Sequence, residues 1–146
     1  MANNTAAKKI KLGARPESFS RVVSFQLPEG GSGCMEMIYK YRTRKEFAEF
    51  ADTMQAALKA KGESEAEKIR KAAEDGKAIP EMTQADLIKL QDEFNVNYIM
   101  QAATGWNLDI PFDREAVEQM TDEFPAAVIA IIGTYRDAIV EGRLGN

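Results

Sequence analysis

Residues 21–42 of the chain, RVVSFQLPEGGSGCMEMIYKYR, contain two stretches in which apolar and polar side chains alternate. The apolar residues that share one face are Val23, Phe25 and Leu27 in the first stretch and Met35, Met37, Tyr39 and Tyr41 in the second. This period of two is typical of a strand that buries one face. The segment between the stretches is rich in glycine, so together they predict a β-hairpin. A hairpin alone is marginally stable in water, and we expect its apolar face to pack on the rest of the chain.

The chain beyond the hairpin carries the signals of helices. Thr43-Arg44-Lys45-Glu46 predicts a capping box at the start of one helix, and Thr83 is predicted to begin another that ends at Gly105. Asp113 can cap a short helix, and Pro125 suits the first turn of the last helix, where its missing N–H costs nothing. The first two predicted helices have apolar stripes at helical spacing, namely Phe47, Phe50, Ala51, Met54 and Leu58, and Leu87, Leu90, Phe94 and Tyr98.

Residues 62–80 differ in composition from the predicted helix at 43–61 before them. Gly62 is a plausible end for that helix, and the segment after it alternates charged side chains with alanines. Such a segment has few apolar side chains to bury, although its residues favour helix. We therefore predict either a charged linker or a solvated helix at residues 62–80.

These signals predict an α+β fold in which an N-terminal β-hairpin, residues 19–42, packs on a mainly α-helical domain of four to five helices. Residues 1–18 are mostly polar and predict a flexible N-terminal arm. We expect residues 19–146 to form one domain, with a C-terminal helical region at 83–146. The length of 146 residues suits one domain with a core of its own.

The composition argues against several classes of function. The chain has no histidine, which is the commonest general base and metal ligand, and its single cysteine, Cys34, cannot build a disulfide or a thiolate zinc site. The net charge of −4 argues against nonspecific nucleic-acid binding, and the basic run from Lys8 to Arg15 is interpreted as a solvated tail. No apolar run has the length of a membrane helix or the pattern of a signal peptide. We expect no enzyme activity, cofactor, metal, nucleic-acid partner or membrane partner.

Paired carboxylates are the remaining candidates for catalysis. The nearest pairs are Asp122 with Glu123 and Asp109 with Asp113. Both pairs lie beside predicted helix starts, where acidic residues stabilise the helix dipole. We prefer that interpretation, and a small enzyme that uses only carboxylates is kept as an alternative hypothesis.

Two features of the C-terminal region allow two interpretations each. Trp106, the only tryptophan, lies in the predicted apolar loop 106–112, and it either packs between helices or forms a binding hot spot. The last predicted helix is apolar on most of its circumference. Such a helix either occupies the centre of the fold or offers one face to a partner.

The segment GWNLDIPFDREAVEQMTDEFPAAVIAIIGTYRDAIVEGRLGN, residues 105–146, resembles the C-terminal region of the tail assembly chaperones of long-tailed phages and prophages. The family pattern runs through Gly-Trp, an acidic loop, a Phe, a short helix, an aromatic-Pro pair, an apolar helix with a Tyr, and a closing Arg-x-Gly-Asn. The candidate binding or motif residues that carry it are Trp106, Phe112, Phe124, Pro125, Tyr135 and Arg143. The hairpin and the following YKYRTRKEF, Tyr39–Phe47, are similar to one branch of the family.

The resemblance implies a chaperone that binds the long, mostly helical tape measure protein in the host cell cytoplasm. It would keep that client soluble until tail tube subunits polymerise around it, and it would be absent from the mature virion. The implied partners are the tape measure protein, the major tail tube protein and further copies of the chain in a homo-oligomer. A structural tail component or head-tail connector is the alternative, because it shares the size and the α+β character.

Overall fold

Three strands and four helices follow one another along residues 7–142, the part of the chain that this computed structural model describes. They are β1 Ser18–Gln26, β2 Ser32–Lys40, α1 Arg44–Glu74, α2 Gln84–Ala102, β3 Ala103–Trp106, α3 Arg114–Glu123 and α4 Pro125–Val140. The α+β class, the N-terminal hairpin and its packing on a helical region are as the sequence predicts. Arg143 lies outside the described residues, as do the first six residues of the predicted arm.

The hairpin buries the face that the alternation predicts. Strands β1 and β2 pair antiparallel, with Val23 opposite Met35 and Arg21 opposite Met37. The residues of this face become the floor of the core, because Val23, Met37 and Tyr39 are fully buried while their neighbours in sequence are largely exposed. Gly30 and Gly31 form the turn with φ of 100° and 79°, a region that residues with a side chain rarely adopt.

Strand β3 corrects the prediction that a helix runs to Gly105 and that Trp106 begins a loop. Helix α2 ends at Ala102, and the next four residues extend the sheet in the order β1-β2-β3. Gly105 pairs with Ile38 and Trp106 with Met37. Four residues are too few to show a period of two, so only the free edge of β2 makes this segment a strand.

The predicted capping box at the start of α1 is confirmed. The Oγ1 atom of Thr43 accepts a hydrogen bond from Glu46 N at 3.1 Å, and the Glu46 carboxylate accepts one from Thr43 N at 3.0 Å. Arg15 donates to the same carboxylate at 2.8 Å, which attaches the end of the predicted arm to α1. The hydrogen bond from Thr43, followed by that from Arg15, lowers the pKa of Glu46.

Helix α1 continues through Gly62, so the prediction that this glycine ends the helix is wrong. The helix has 31 residues and ends at Glu74, and Gly76, with φ of 68°, follows its C-cap in the left-handed region typical of helix ends. Alanines and charged residues with high helix propensity follow Gly62, and Arg70 pairs with glutamates one turn away on either side. The alternative of a solvated helix therefore describes residues 62–74, and the chain leaves the helix after that.

Replacing Gly62 with alanine is expected to stabilise the protein by about 1 kcal/mol, because glycine is unfavourable inside a helix. A Cβ atom at Gly62 would have nothing within 4 Å, so no clash offsets this gain. Urea-induced unfolding followed by circular dichroism would measure the change. Gly76→Ala is the matched control and is expected to destabilise, because φ at Gly76 is positive. No gain at Gly62 would mean that the helix does not form there.

The core lies between the inner face of the sheet and the helices. Aromatic rings dominate it and form one connected cluster, consisting of Phe19, Tyr39, Phe47, Phe50, Tyr98 and Tyr135. Tyr135 of α4 stacks on Tyr39 of β2 with 5.0 Å between ring centroids and meets Phe47 of α1 edge-on at 5.7 Å. Phe19, Tyr39, Phe47 and Phe50 therefore join both strands of the hairpin and α1 to Tyr135, and Tyr98 of α2 is connected through Phe50.

Candidate protein-binding surface

Tyr135 connects several elements and is fully buried. Its hydroxyl donates a hydrogen bond to Lys40 O at 2.9 Å and accepts one from Arg42 Nη1 at 2.9 Å. Arg42 also donates to Gln101 O at 3.2 Å and lies over the ring of Phe50 at 4.2 Å. Burial raises the pKa of Tyr135, and the hydrogen bond from Arg42 partly opposes that. A partner could not reach this ring unless the core opened.

Trp106 and Phe112 are brought together in the connection that leads from β3 to α3. The indole Nε1–H of Trp106 donates to Ile110 O at 2.8 Å, and its ring meets Phe112 edge-on with 5.0 Å between centroids. Both side chains are half-buried against the core, so one part of each ring packs and another part is accessible. Both interpretations of Trp106, core packing and binding, keep structural support.

Phe124 and Pro125 lie where α3 passes into α4. Phe124 is half-buried against the core and is the N-cap residue of α4. Pro125 is exposed at the first position of the helix, which confirms the prediction for it. The predicted cap at Asp113 is also confirmed, because its Oδ1 accepts a hydrogen bond from Ala116 N at 2.9 Å at the start of α3. That carboxylate therefore stabilises a helix end.

A trough between α1 and α2 is an open apolar feature that the sequence did not reveal. Its inner part has a volume of about 330 Å³, and its outer part, which extends to the segment before α2, has about 310 Å³. The apolar residues of the two parts are Met54, Ala57, Leu58, Leu90, Phe94 and Met100, followed by Ile69, Pro80 and Met82. The two parts share Lys61, Leu90 and Glu93, so they form one continuous trough.

Residues of the apolar stripes on α1 and α2, among them Leu58 and Leu90, line this trough. Phe47, Phe50 and Tyr98 are buried, but Leu58 and Leu90 are only half-buried and Leu87 is 47% exposed. The helical periodicity of both stripes is therefore confirmed, and only part of each stripe belongs to the core. The two helices contact each other over a short length only, and the apolar side chains of their outer halves stay partly exposed.

Polar groups form the rim of the trough. The Nζ atom of Lys61 on α1 lies 3.3 Å from Oε1 of Glu93 on α2, and Arg114 of α3 donates to Asn97 on α2. The Lys61–Glu93 pair is exposed, and such pairs contribute little to stability. The pair can separate at small cost, which leaves the apolar floor accessible.

A comparison with protein families decides the identity. A family model described as phage tail assembly chaperone matches residues 5–146, nearly the whole chain. The chain belongs to the phage tail assembly chaperone family. This confirms the family that the resemblance of residues 105–146 indicated. Searches of curated proteins and of solved structures found no match.

The methionines of this tail assembly chaperone divide between core and trough. Met35, Met37 and Met120 are buried, whereas Met54 and Met100 are half-buried in the trough and Met82 is 42% exposed at its outer end. Unbranched methionine side chains adapt to irregular apolar partners, so the trough has an adaptable lining. None of the chaperone's helices within residues 7–142 combines the length and apolar character needed to cross a membrane.

Proposed function

We propose that this chaperone binds helical segments of the tape measure protein in the host cell cytoplasm and keeps them soluble. The tail tube subunits then polymerise around the tape measure protein and displace the chaperone, which is absent from the mature virion. The observation that carries the proposal is the continuous apolar trough between α1 and α2. The protein acts in this proposal by binding and release, without catalysis.

The dimensions of the trough suit an amphipathic helix. Its lining on α1 runs from Met54 to Ile69, which corresponds to about 22 Å or four helical turns. A helix of that length would place three or four apolar side chains in the trough, as in other complexes where an amphipathic helix binds a groove. Half-buried Leu58, Leu90 and Phe94 would lose their remaining exposure to water, which stabilises the complex.

The surface chemistry suits a chaperone that must stay soluble without its client. The net charge of −4 keeps free molecules apart, while the polar rim surrounds the apolar floor. A client much longer than one trough needs several chaperone copies, so we include self-association in the proposal. The same reasoning favours moderate affinity at each trough, because every copy must leave when the tube forms.

Substituting Leu58 and Leu90 with glutamate is expected to reduce recovery of soluble tape measure protein at least tenfold on co-expression. Two carboxylates in the apolar trough would cost well over the 1.4 kcal/mol that corresponds to a tenfold change. The measurement is the amount of a tape measure fragment that co-purifies with each variant. Ile129→Glu is the matched control, because Ile129 on α4 is 69% exposed and lies outside the trough.

Thermal unfolding of each variant would show whether the substitutions act on the fold instead. Client recovery at the wild-type level with a folded double variant would contradict the trough as the binding site.

Mass spectrometry of purified phage particles tests the proposed release of the chaperone, and we expect the protein to be missing from the particles. Its presence in stoichiometric amounts would instead support the alternative of a structural tail or connector component.

A further inference from the structure

The described part of the N-terminal arm carries apolar side chains that have no place on their own chain. Ile10 is 83% exposed and Leu12 is 91% exposed. Ala14 N donates to Lys11 O at 3.2 Å and closes a turn in which Gly13 has a positive φ, so Leu12 lies at the tip of that turn. Large apolar side chains with this exposure are a contact surface when they lie side by side.

The three lysines of the arm have no ion-pair partner in the part of the chain that the structure describes. Lys8, Lys9 and Lys11 make no ion pair with any residue between 7 and 142, whereas Arg15 is paired with Glu46. Since the net charge of the chain is −4, this segment is a local exception in an acidic protein. The arm therefore combines two apolar side chains with three unpaired positive charges.

A hollow between α2 and α3 has the complementary character. It has a volume of about 660 Å³, and its apolar floor includes Ala85, Ile88 and Val96. Ile88 is 52% exposed, so this floor is open to solvent. The hollow is lined by other residues than the trough between α1 and α2, apart from Lys89 and Glu93 at the rims and Arg114.

The charged residues that line this hollow are Lys89, Asp92, Glu93, Arg114 and Glu118. Glu93 is paired with Lys61 and Glu118 with Arg114, whereas Lys89 and Asp92 make no ion pair with another described residue. Asp122 is not part of the lining, but it is close enough to act on the carboxylate of Asp92 and it makes no ion pair with a described residue either. Burial, followed by the charge of Asp122, raises the pKa of Asp92. A positive group placed beside these two carboxylates would stabilise their charged forms.

We propose that the arm of one copy, residues 8–12, binds in the α2–α3 hollow of a second copy. Ile10 and Leu12 then cover Ile88 and Val96, and the lysines lie beside Asp92 and Asp122. Two different surfaces meet in this contact, so it is heterologous and extends from copy to copy unless the geometry closes a ring. The inference rests on the self-association in the proposed function and names its surface, and it is independent of how the client binds.

Two complementary variants of the full-length protein test the contact. The arm variant carries Ile10→Ser and Leu12→Ser and keeps an intact hollow, and the hollow variant carries Ile88→Lys and keeps an intact arm. Sedimentation velocity is expected to show self-association at least tenfold weaker for each variant alone. An equimolar mixture is expected to form a dimer of wild-type affinity and nothing larger, because only one productive contact remains in each pair. Ile129→Ser is the control and should associate as the wild type does.

Several results would overturn this inference. A wild-type protein that stays monomeric at millimolar concentration would do so, as would variants that associate normally or a mixture that stays monomeric. Binding of the arm to its own hollow would leave the wild type monomeric, although the equimolar mixture would still form a dimer. Co-purification of a tape measure fragment with the same variants distinguishes a failure of this inference from a failure of the proposed function. We expect both variants to keep binding the fragment, since neither changes the trough. A wild-type protein that does not bind the fragment would contradict the proposed function instead.

Discussion

Replacing Tyr135 with alanine is expected to destabilise the protein by about 3–5 kcal/mol, the range for removing a large aromatic side chain from a core. Tyr135 is fully buried and its ring contacts those of Phe19, Tyr39, Phe47 and Phe50. Domains of this kind are stable by about 5–15 kcal/mol, so the variant would lose a large part of its stability. Urea-induced unfolding, followed through the fluorescence of the single tryptophan, would measure the loss.

The variant Tyr135→Phe distinguishes the contribution of the hydroxyl from that of the ring. It keeps the ring contacts but leaves Lys40 O and Arg42 Nη1 without the hydroxyl, so we expect a smaller loss of about 1–3 kcal/mol. Arg136→Ala is the control, because Arg136 is the next residue and is exposed. A loss below 1 kcal/mol for Tyr135→Ala would contradict the central position of this ring in the core.

Alkaline pH is expected to unfold the protein through its buried tyrosines. Burial raises the pKa of Tyr39, Tyr98 and Tyr135 above the ordinary tyrosine value near 10. The pKa of Tyr98 rises to about 12. Below pH 10 these groups stay protonated whether the chain is folded or unfolded, so their contribution to stability is complete. Above pH 10 the unfolded chain loses these protons before the folded chain does. The free energy of unfolding then falls by about 1.4 kcal/mol per pH unit for each tyrosine, which is roughly 4 kcal/mol per pH unit for the three together.

A titration between pH 9 and 12.5 would measure this effect by circular dichroism and by tyrosinate absorbance on the same samples. We expect loss of helix and ionisation of the buried tyrosines in one cooperative step. Tyr98→Phe removes one of the three contributions, so its stability should fall with pH about one third less steeply. Ionisation of all tyrosines near pH 10 with an unchanged circular dichroism spectrum would contradict their burial.

The binding residues illustrate how far the sequence leads toward a site. The motif from Trp106 to Tyr135 indicated the right family, yet the structure places Tyr135 in the core and Trp106 and Phe112 in a half-buried connection. A short motif reports which residues a family shares, and residues that hold elements together are shared for packing as well as for binding. The sequence could not reveal the trough between α1 and α2, because its side chains have the same helical spacing as those of an ordinary core stripe.

The sequence by itself determined the hairpin, the capping box at Thr43, the helix start at Thr83, the cap at Asp113 and the family. Each of these depends on contacts between residues close in sequence or on a pattern along the chain. Only the tertiary structure decided that β3 joins the sheet, that the outer ends of α1 and α2 stay uncovered and that Tyr135 connects the core. Periodicity identifies the apolar face of a strand or helix, but whether that face is covered depends on elements distant in sequence, which a local pattern does not contain.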